Sequence, residues 1–313
     1  MNKRILNKVI LLLCALMAAL LSGCHIGNIS LGIGDYITGE EYPNAENYQT
    51  GAFTYNADEI KAVEVYWRSG EVEIIESADS ELSVRESGGE LSEDIAMHYL
   101  LDNGVLRIRF CKSGAKIQVN ATDKHLSLEV PKGIELSVHT TSALVKADTL
   151  EQNDILIAAH SGSTKLGTVT AESVDLSSSS GSIRADSVSA QTLKCSASSG
   201  SVDLGIVSAK KLECSTSSGF VTMDDVNSET VQVTTSSGSV ELALTEVPTA
   251  AIHTSSGKVN LVLAKGGAEV LYTSNSGKLL TGRTYERKGD LYVFGSGDSK
   301  LTVETSSGNL EIK

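Results

Sequence analysis

Serine is the potential nucleophile this chain offers most often. Ser178-Ser179-Ser180, Ser198-Ser199, Ser217-Ser218 and Ser236-Ser237 recur along its second half. A serine nucleophile needs a base within hydrogen-bond reach, and no histidine or lysine recurs at the matching period, so these rows read as corner chemistry. His98, His125, His139, His160 and His253 show neither HxH nor HExxH spacing, and no acidic cluster joins them in the sequence. No metal site is therefore expected, and no cofactor. Cys195 and Cys214 occupy the same slot of adjacent repeats. That places their Cα atoms within disulfide range, but parallel side-chain vectors make the bridging dihedral awkward. Free core thiols are the expectation and a bridge the alternative. Thr216, Thr235, Thr254 and Thr273 form a column similar to the threonine rows of ice-binding solenoids, though beside a glycine corner instead of on a flat face.

Cys24 is the residue with the clearest covalent chemistry. Lys3, Arg4 and Lys8 precede an uncharged apolar run from Val9 to Leu21, and Leu21-Ser22-Gly23 leads into Cys24. The run is too short for a spanning helix of ~20 residues, and the pattern is that of a signal peptide. The small residues before Cys24 resemble the lipobox of lipoprotein signal peptidase, which implies cleavage after residue 23 and lipid on the Cys24 sulfur. The expected localisation is the outer face of a bacterial cell membrane, held by that lipid. Taking those three basic residues from the 26 Lys+Arg leaves 23 against 39 Asp+Glu, a formal charge of −16. Such a chain repels nucleic acid and anionic lipid. Beyond Cys14 and Cys24 only Cys111, Cys195 and Cys214 remain, which is no disulfide framework.

The elements that position these residues are strands. Ser-Gly steps at Gly162, Gly181, Gly200, Gly219, Gly238 and Gly257 stand 19 residues apart, with Ala143 in the same slot one repeat earlier. Gly277 follows after 20 residues and Gly308 after 31, so the array is expected to loosen toward its end. Fixed self-similarity of this kind marks a solenoid. Within one repeat the apolar residues come as pairs at spacing two: Ile183 and Ala185, Val188 and Ala190, Leu193 and Cys195. Helices need spacings of three and four. The prediction is an all-β parallel solenoid with three short strands per turn, three-sided, with right-handed crossovers. The Ser-Ser-Gly corner is its widest, and glycine supplies a positive φ there.

The expected organisation is a signal peptide at 1–23, a flexible tether at 24–57, a β-rich cap at 58–141, solenoid repeats at 142–280, and a C-terminal hairpin with a final rung at 281–313. Alternation marks strands in the cap at Val63, Val65 and Trp67, at Val72 and Ile74, at Leu82 and Val84, at Leu106 and Ile108, and at Leu126, Leu128 and Val130. Leu91 to Leu101 reads as either a short helix or an irregular connection. Stacking in register predicts a column of alternating charge, Asp175, Lys194 and Glu213. A second column, Lys146, Lys165, Arg184 and Asp203, would be neutralised by Asp148 and Asp186, or would form a weak anion-binding stripe. The final turn, Thr305 to Lys313, would present an open edge blunted by Glu311 and Lys313.

Three segments add a resemblance: Tyr42-Pro43-Asn44-Ala45-Glu46-Asn47-Tyr48, the strand pair from Val63 to Ile74, and Leu126-Ser127-Leu128-Glu129-Val130-Pro131. With the Ser-Gly repeats they resemble the bacterial putative-adhesin β-strand-repeat family, a domain of unknown function. The resemblance spans nearly all of the chain after the signal peptide. It implies a protein tethered at the envelope of Firmicutes, in some cases beside envelope-stress signalling systems, and it carries over no catalytic residues. Ala143 and the lipoprotein signal depart from that pattern. A β-helix polysaccharide lyase or hydrolase would need long loops and clustered Asp, Arg or Lys, which near-uniform turns do not supply. The functional expectation is a non-enzymatic surface-binding or adhesion module contacting an envelope polymer or protein. The alternative is an accessory lipoprotein that senses or scaffolds envelope-stress components.

Overall fold

A computed structural model describes residues 36–89, 91–118, 124–264 and 266–313. Its centre is a stack of four strands of fifteen residues, Thr164–Ser178, Ile183–Ala197, Val202–Thr216 and Val221–Thr235. They are parallel and paired in strict repeat register, with Thr164 beside Ile183, Ile183 beside Val202 and Val202 beside Val221. The apolar pairs at spacing two point inward as anticipated: Val202, Leu204, Val207, Leu212 and Cys214 are all at most 3% exposed.

The three short strands expected per turn are in fact one continuous ladder. Inward and outward residues alternate along Val202–Thr216 except at Gly205-Ile206 and Lys210-Lys211, where two successive residues face out. Each slip turns the chain through a corner without interrupting the backbone pairing. Ser217 and Ser218, both exposed, make the third slip. An odd repeat cannot close under strict alternation, because a residue would return on the opposite face after one turn. Three slips restore the phase, so an odd repeat length and three sides go together.

The glycines do not act as expected. None of the repeat glycines from Gly162 to Gly277 has a positive φ; among the glycines that do is Gly70. What excludes a side chain is the neighbouring turn. A Cβ on Gly181, Gly200 or Gly219 would lie 1.8–1.9 Å from the carbonyl oxygen of the glycine one turn earlier. Ala143 holds the slot opposite Gly70, which sits at φ +83°, unlike the later repeat glycines, and accepts the Leu144 N–H at 2.9 Å. The column opens with Lys124, whose carbonyl faces Gly70.

The array does not loosen at its end; it interleaves. The last strands, Ser299–Thr305 and Leu310–Ile312, lie between turns that precede them in sequence. Ser299–Thr305 pairs with Thr249–Thr254 on one side and Gly267–Ser274 on the other. Leu310–Ile312 likewise sits between Val259–Val262 and Leu279–Thr281. The glycine column thus runs Gly257, Gly308, Gly277, each against the carbonyl of the one before. This accounts for the irregular spacings in the sequence. The expected open edge at residues 305–313 is therefore corrected. Two strands finish this end: Leu279–Thr281, paired on one side only, and Glu286–Lys288, wholly exposed, charged, and antiparallel to Leu291–Gly295, which itself lies antiparallel on Gly267–Ser274.

The other end repeats the device. Ala62–Trp67 is flanked by Val105–Arg109 and Glu135–Thr140, and Glu71–Glu76 by His125–Val130 and Leu144–Glu151, all parallel. The region read as a cap thus contributes turns to the same ladder. Antiparallel Glu81–Ser87 and His98–Asp102 close it. Leu91–Met97 is irregular, and the strand begins at His98. Part of the expected tether is also folded: Tyr36–Thr38 pairs with Lys116–Gln118, and the Tyr42 hydroxyl donates to the Cys111 carbonyl at 3.0 Å. These contacts are long-range, so no local periodicity announces them.

Two expectations follow. Gly200→Ala should cost about 1–3 kcal/mol by overpacking, whereas Gly282→Ala, with nothing within 4 Å of its Cβ, should stay within about 0.5 kcal/mol of the native chain; urea unfolding midpoints test both. A chain ending at Gly297 should lose protease and hydrogen-exchange protection over 249–281 while the central strands keep theirs, because nearest-neighbour contacts dominate such stacks.

Candidate functional site

The solenoid encloses no cleft suited to catalysis among the described residues; its chemistry lies on the outward columns. One shallow depression lies between Thr50–Ala52 and the Leu91–Met97 connection. Its titratable groups are Glu86 and Glu93, which supply no nucleophile with a base.

The serine corners stack from turn to turn: Ser199 N–H donates to the Ser179 carbonyl (2.9 Å) and Ser218 N–H to Ser198 (3.0 Å). The threonines lie on the inside of these corners. Thr216, Thr235 and Thr254 are at most 6% exposed, and Thr235 and Thr254 accept the N–H of Gly238 and Gly257 at 3.0 and 2.9 Å. Thr305 and Ser274 do the same for Gly308 and Gly277 at 2.7 Å. The fourth expected member, Thr273, is instead exposed on the outside. These hydroxyls terminate turns and face no ice.

Cys195 and Cys214 are adjacent in register, buried and free, as is Cys111. Burial pushes the Cys214 thiol up to about 12 and the Cys111 thiol to about 11, and it raises the Cys195 thiol well above its ordinary value, with Cys214 beside it adding to the effect.

The charge columns form, with different partners. Lys194 meets Asp175 at 3.1 Å, while Glu213 pairs with Lys211 at 2.6 Å. In the second column, Asp148 and Asp186 are not the partners. Lys146 meets Glu71 (2.7 Å) and Glu73 (3.2 Å), and Arg184 meets Asp203 (2.8 Å). The charge that balances Lys146 comes from the interleaved strand Glu71–Glu76, which the linear order places far away.

The same interleaving brings His125 to an acidic cluster, contrary to the sequence reading. Its Nδ1 lies 3.2 Å from Glu71 and its Nε2 3.1 Å from Glu73. The three residues could present ligand atoms to one ion. The Lys146 ammonium already stands against both carboxylates and holds the Glu73 carboxyl below its usual range. A second missed pair is Ser137 and His139, 3.0 Å apart on one strand face; their spacing of two was the available signal. His139 stacks on Tyr66 (centroids 5.0 Å, 14° between planes), whose other contact is the Arg109 guanidinium at 3.8 Å. Burial lowers the His139 pKa, and among the described residues no carboxylate is hydrogen-bonded to the ring to orient it as the third group of a triad would. A third pair, Lys124 and Glu86, is sealed inside. Alternation marks both as inward, Lys124 in phase with Leu126 and Leu128, and Glu86 with Leu82 and Val84.

Cys24 lies outside the described residues. Among the described residues no helix is long and apolar enough to cross a membrane.

A parallel β-solenoid of near-uniform turns, carrying its polar groups in outward columns, defines a scaffold class. Within that class, the chain belongs to the Toastrack DUF4097 family, which matches residues 60–313. Solved structures similar to it include a putative adhesin from Bacteroides fragilis NCTC 9343, 13% identical with a TM-score of 0.42, covering 85% of this chain and 97% of that one. A putative lipid binding protein from Parabacteroides distasonis ATCC 8503 is 14% identical with a TM-score of 0.42, over 84% and 97% of the two chains. A putative cell adhesion protein from Clostridium sporogenes ATCC 15579 is 10% identical with a TM-score of 0.22, over 85% and 99%. Likenesses at this level carry no argument about what this chain binds. No curated protein matches it.

Native chain should leave Cys111, Cys195 and Cys214 unreactive toward a thiol reagent at pH 8, and urea should expose all three, because burial denies them the reactive thiolate. A folded-state pKa raised by burial gives stability that is complete below the unfolded thiol value of ~8.5 and is lost as pH rises above it. Urea midpoints should therefore fall between pH 8.5 and 10.5, by less in a Cys214→Ala chain.

Proposed function

We propose that this protein is a non-enzymatic envelope lipoprotein, anchored through Cys24, that displays its solenoid faces for binding to a polymer or protein of the envelope. The observation that carries this reading is the outward column Ser177, Ser196, Ser215 and Thr234, one hydroxyl per turn in continuous register. The Ser215 hydroxyl donates to that of Ser196 at 3.2 Å. Beside it runs the column Asp175, Lys194, Glu213 and Gln232. Stacked parallel strands present such groups every ~4.8 Å, a spacing suited to repeated weak contacts along an extended chain and poorly suited to enclosing a small molecule. Multiplied over several turns, modest hydrogen bonds give useful avidity. The family membership adds no catalytic residues to this reading.

The test is retention of the mature chain, with Cys24→Ser to remove the lipid, on purified peptidoglycan carrying its attached glycans and on detergent-solubilised membranes. Saturable retention on the wall fraction is the expected result. Replacing Ser196 and Ser215 by Arg should weaken it about tenfold, equivalent to ~1.4 kcal/mol, without changing the circular dichroism. Specific capture of a membrane protein with no wall binding would overturn the polymer reading in favour of an accessory role in envelope sensing.

A further inference from the structure

Two charged side chains are enclosed at the N-terminal end of the solenoid. The antiparallel register sets Glu86 opposite Leu126, so the preceding inward residue of that strand's approach, Lys124, is its diagonal neighbour. The side chains are 1% exposed at Lys124 and 5% at Glu86. Lys124 Nζ contacts Glu86 Oε1 directly, and it also donates to the carbonyl oxygens of Phe110 and of Ile95, the latter at 2.6 Å. The Trp67 and Phe110 rings lie with their centroids 4.8 and 4.0 Å from the nitrogen. On the far side of the carboxyl group, Glu86 Oε2 accepts the Met97 N–H at 2.7 Å.

We propose that Lys124 and Glu86 condense in the folded protein to an intramolecular amide, cross-linking the capping strand Glu81–Ser87 to the start of His125–Val130. A buried ion pair gains little net stability and is retained at a large desolvation cost, a cost that a neutral amide does not carry. Desolvation is the largest influence on Lys124 and draws its pKa down against the opposing pull of Glu86. With two N–H bonds given to the Ile95 and Phe110 carbonyls, the lone pair of a neutral amine is left for the Glu86 Cδ. The Met97 N–H is placed on the oxygen that gains negative charge in the tetrahedral intermediate. Fixed contact supplies the proximity that an intermolecular condensation lacks.

The step needs no other reactant. A proton passes from Lys124 Nζ to Glu86 Oε1, giving amine and carboxylic acid. The Nζ–Cδ bond forms, the Cδ–Oε1 bond breaks, and a second proton from Nζ leaves with that oxygen as water. The remaining amide N–H keeps one of its two carbonyl acceptors, and two buried charges disappear.

Peptide mapping of the native, purified full chain tests this directly. After denaturation and trypsin, the expected product is a branched peptide joining residues 86–107 to residues 117–132, lighter than the two together by one water and uncut after Lys124. Lys124→Arg, which keeps the positive charge and donors but cannot close the amide, should yield residues 86–107 unbranched, with cleavage after position 124 giving 117–124 and 125–132. Cleavage after Lys124 in the native chain, giving residues 86–107, 117–124 and 125–132 with no loss of water, would overturn the proposal and leave a structural ion pair.

Discussion

At the serine–glycine corner the backbone of one turn meets the backbone of the next with no room for a carbon atom between them. That contact sets the molecule's geometry. It fixes one residue type per turn, holds every turn in the same rotational register, and so brings each inward side chain directly over its equivalent. The inward threonine or serine then closes each C-terminal corner through the glycine N–H. The core follows from this alignment: columns of inward apolar residues, such as Leu176, Cys195, Cys214 and Val233, each over another apolar residue of the next turn. The departures from glycine have local reasons. Ala143 meets Gly70, whose backbone is left-handed at φ +83°, and Lys124 stands at the head of the column.

A stack of parallel turns has two raw ends, each a row of unpaired backbone groups inviting another chain to add on. Both ends here are reduced by tucking later sequence between earlier turns and laying antiparallel strands over most of the outermost ones, leaving the three-residue strand Leu279–Thr281 with one edge unpaired. The charged strand Glu286–Lys288 finishes one end. At the other, Trp67, Phe110 and Lys124 fill the mouth of the core with large side chains of kinds that the four central strands do not carry inward.

The regular part of this architecture was legible in the amino-acid sequence because its information is local. Spacing two along Ile183 to Cys195, and the 19-residue recurrence of Ser-Gly, specify alternation, sidedness and register without reference to anything distant. What could not be read is whatever depends on the order of turns in space differing from their order in the chain. Gly308 between Gly257 and Gly277, and Glu71 and Glu73 beside His125 and Lys146, are of that kind. The role of glycine was misjudged for another reason: a glycine needed for its φ and a glycine needed for close approach look identical in a sequence. The inward phase of Lys124 and Glu86 was present in the alternation, and only their meeting required the fold.

The interleaved ends also bear on how such a protein changes length. A duplicated unit added at either terminus would have to displace strands already held on both sides. A 19-residue unit inserted among the turns from Thr164 to Thr235 meets identical neighbours above and below, and its glycine finds the same carbonyl waiting. Growth and shrinkage of the gene are thus channelled to the middle of the coding sequence, and the two termini travel together as fixed fittings on a rod of adjustable reach.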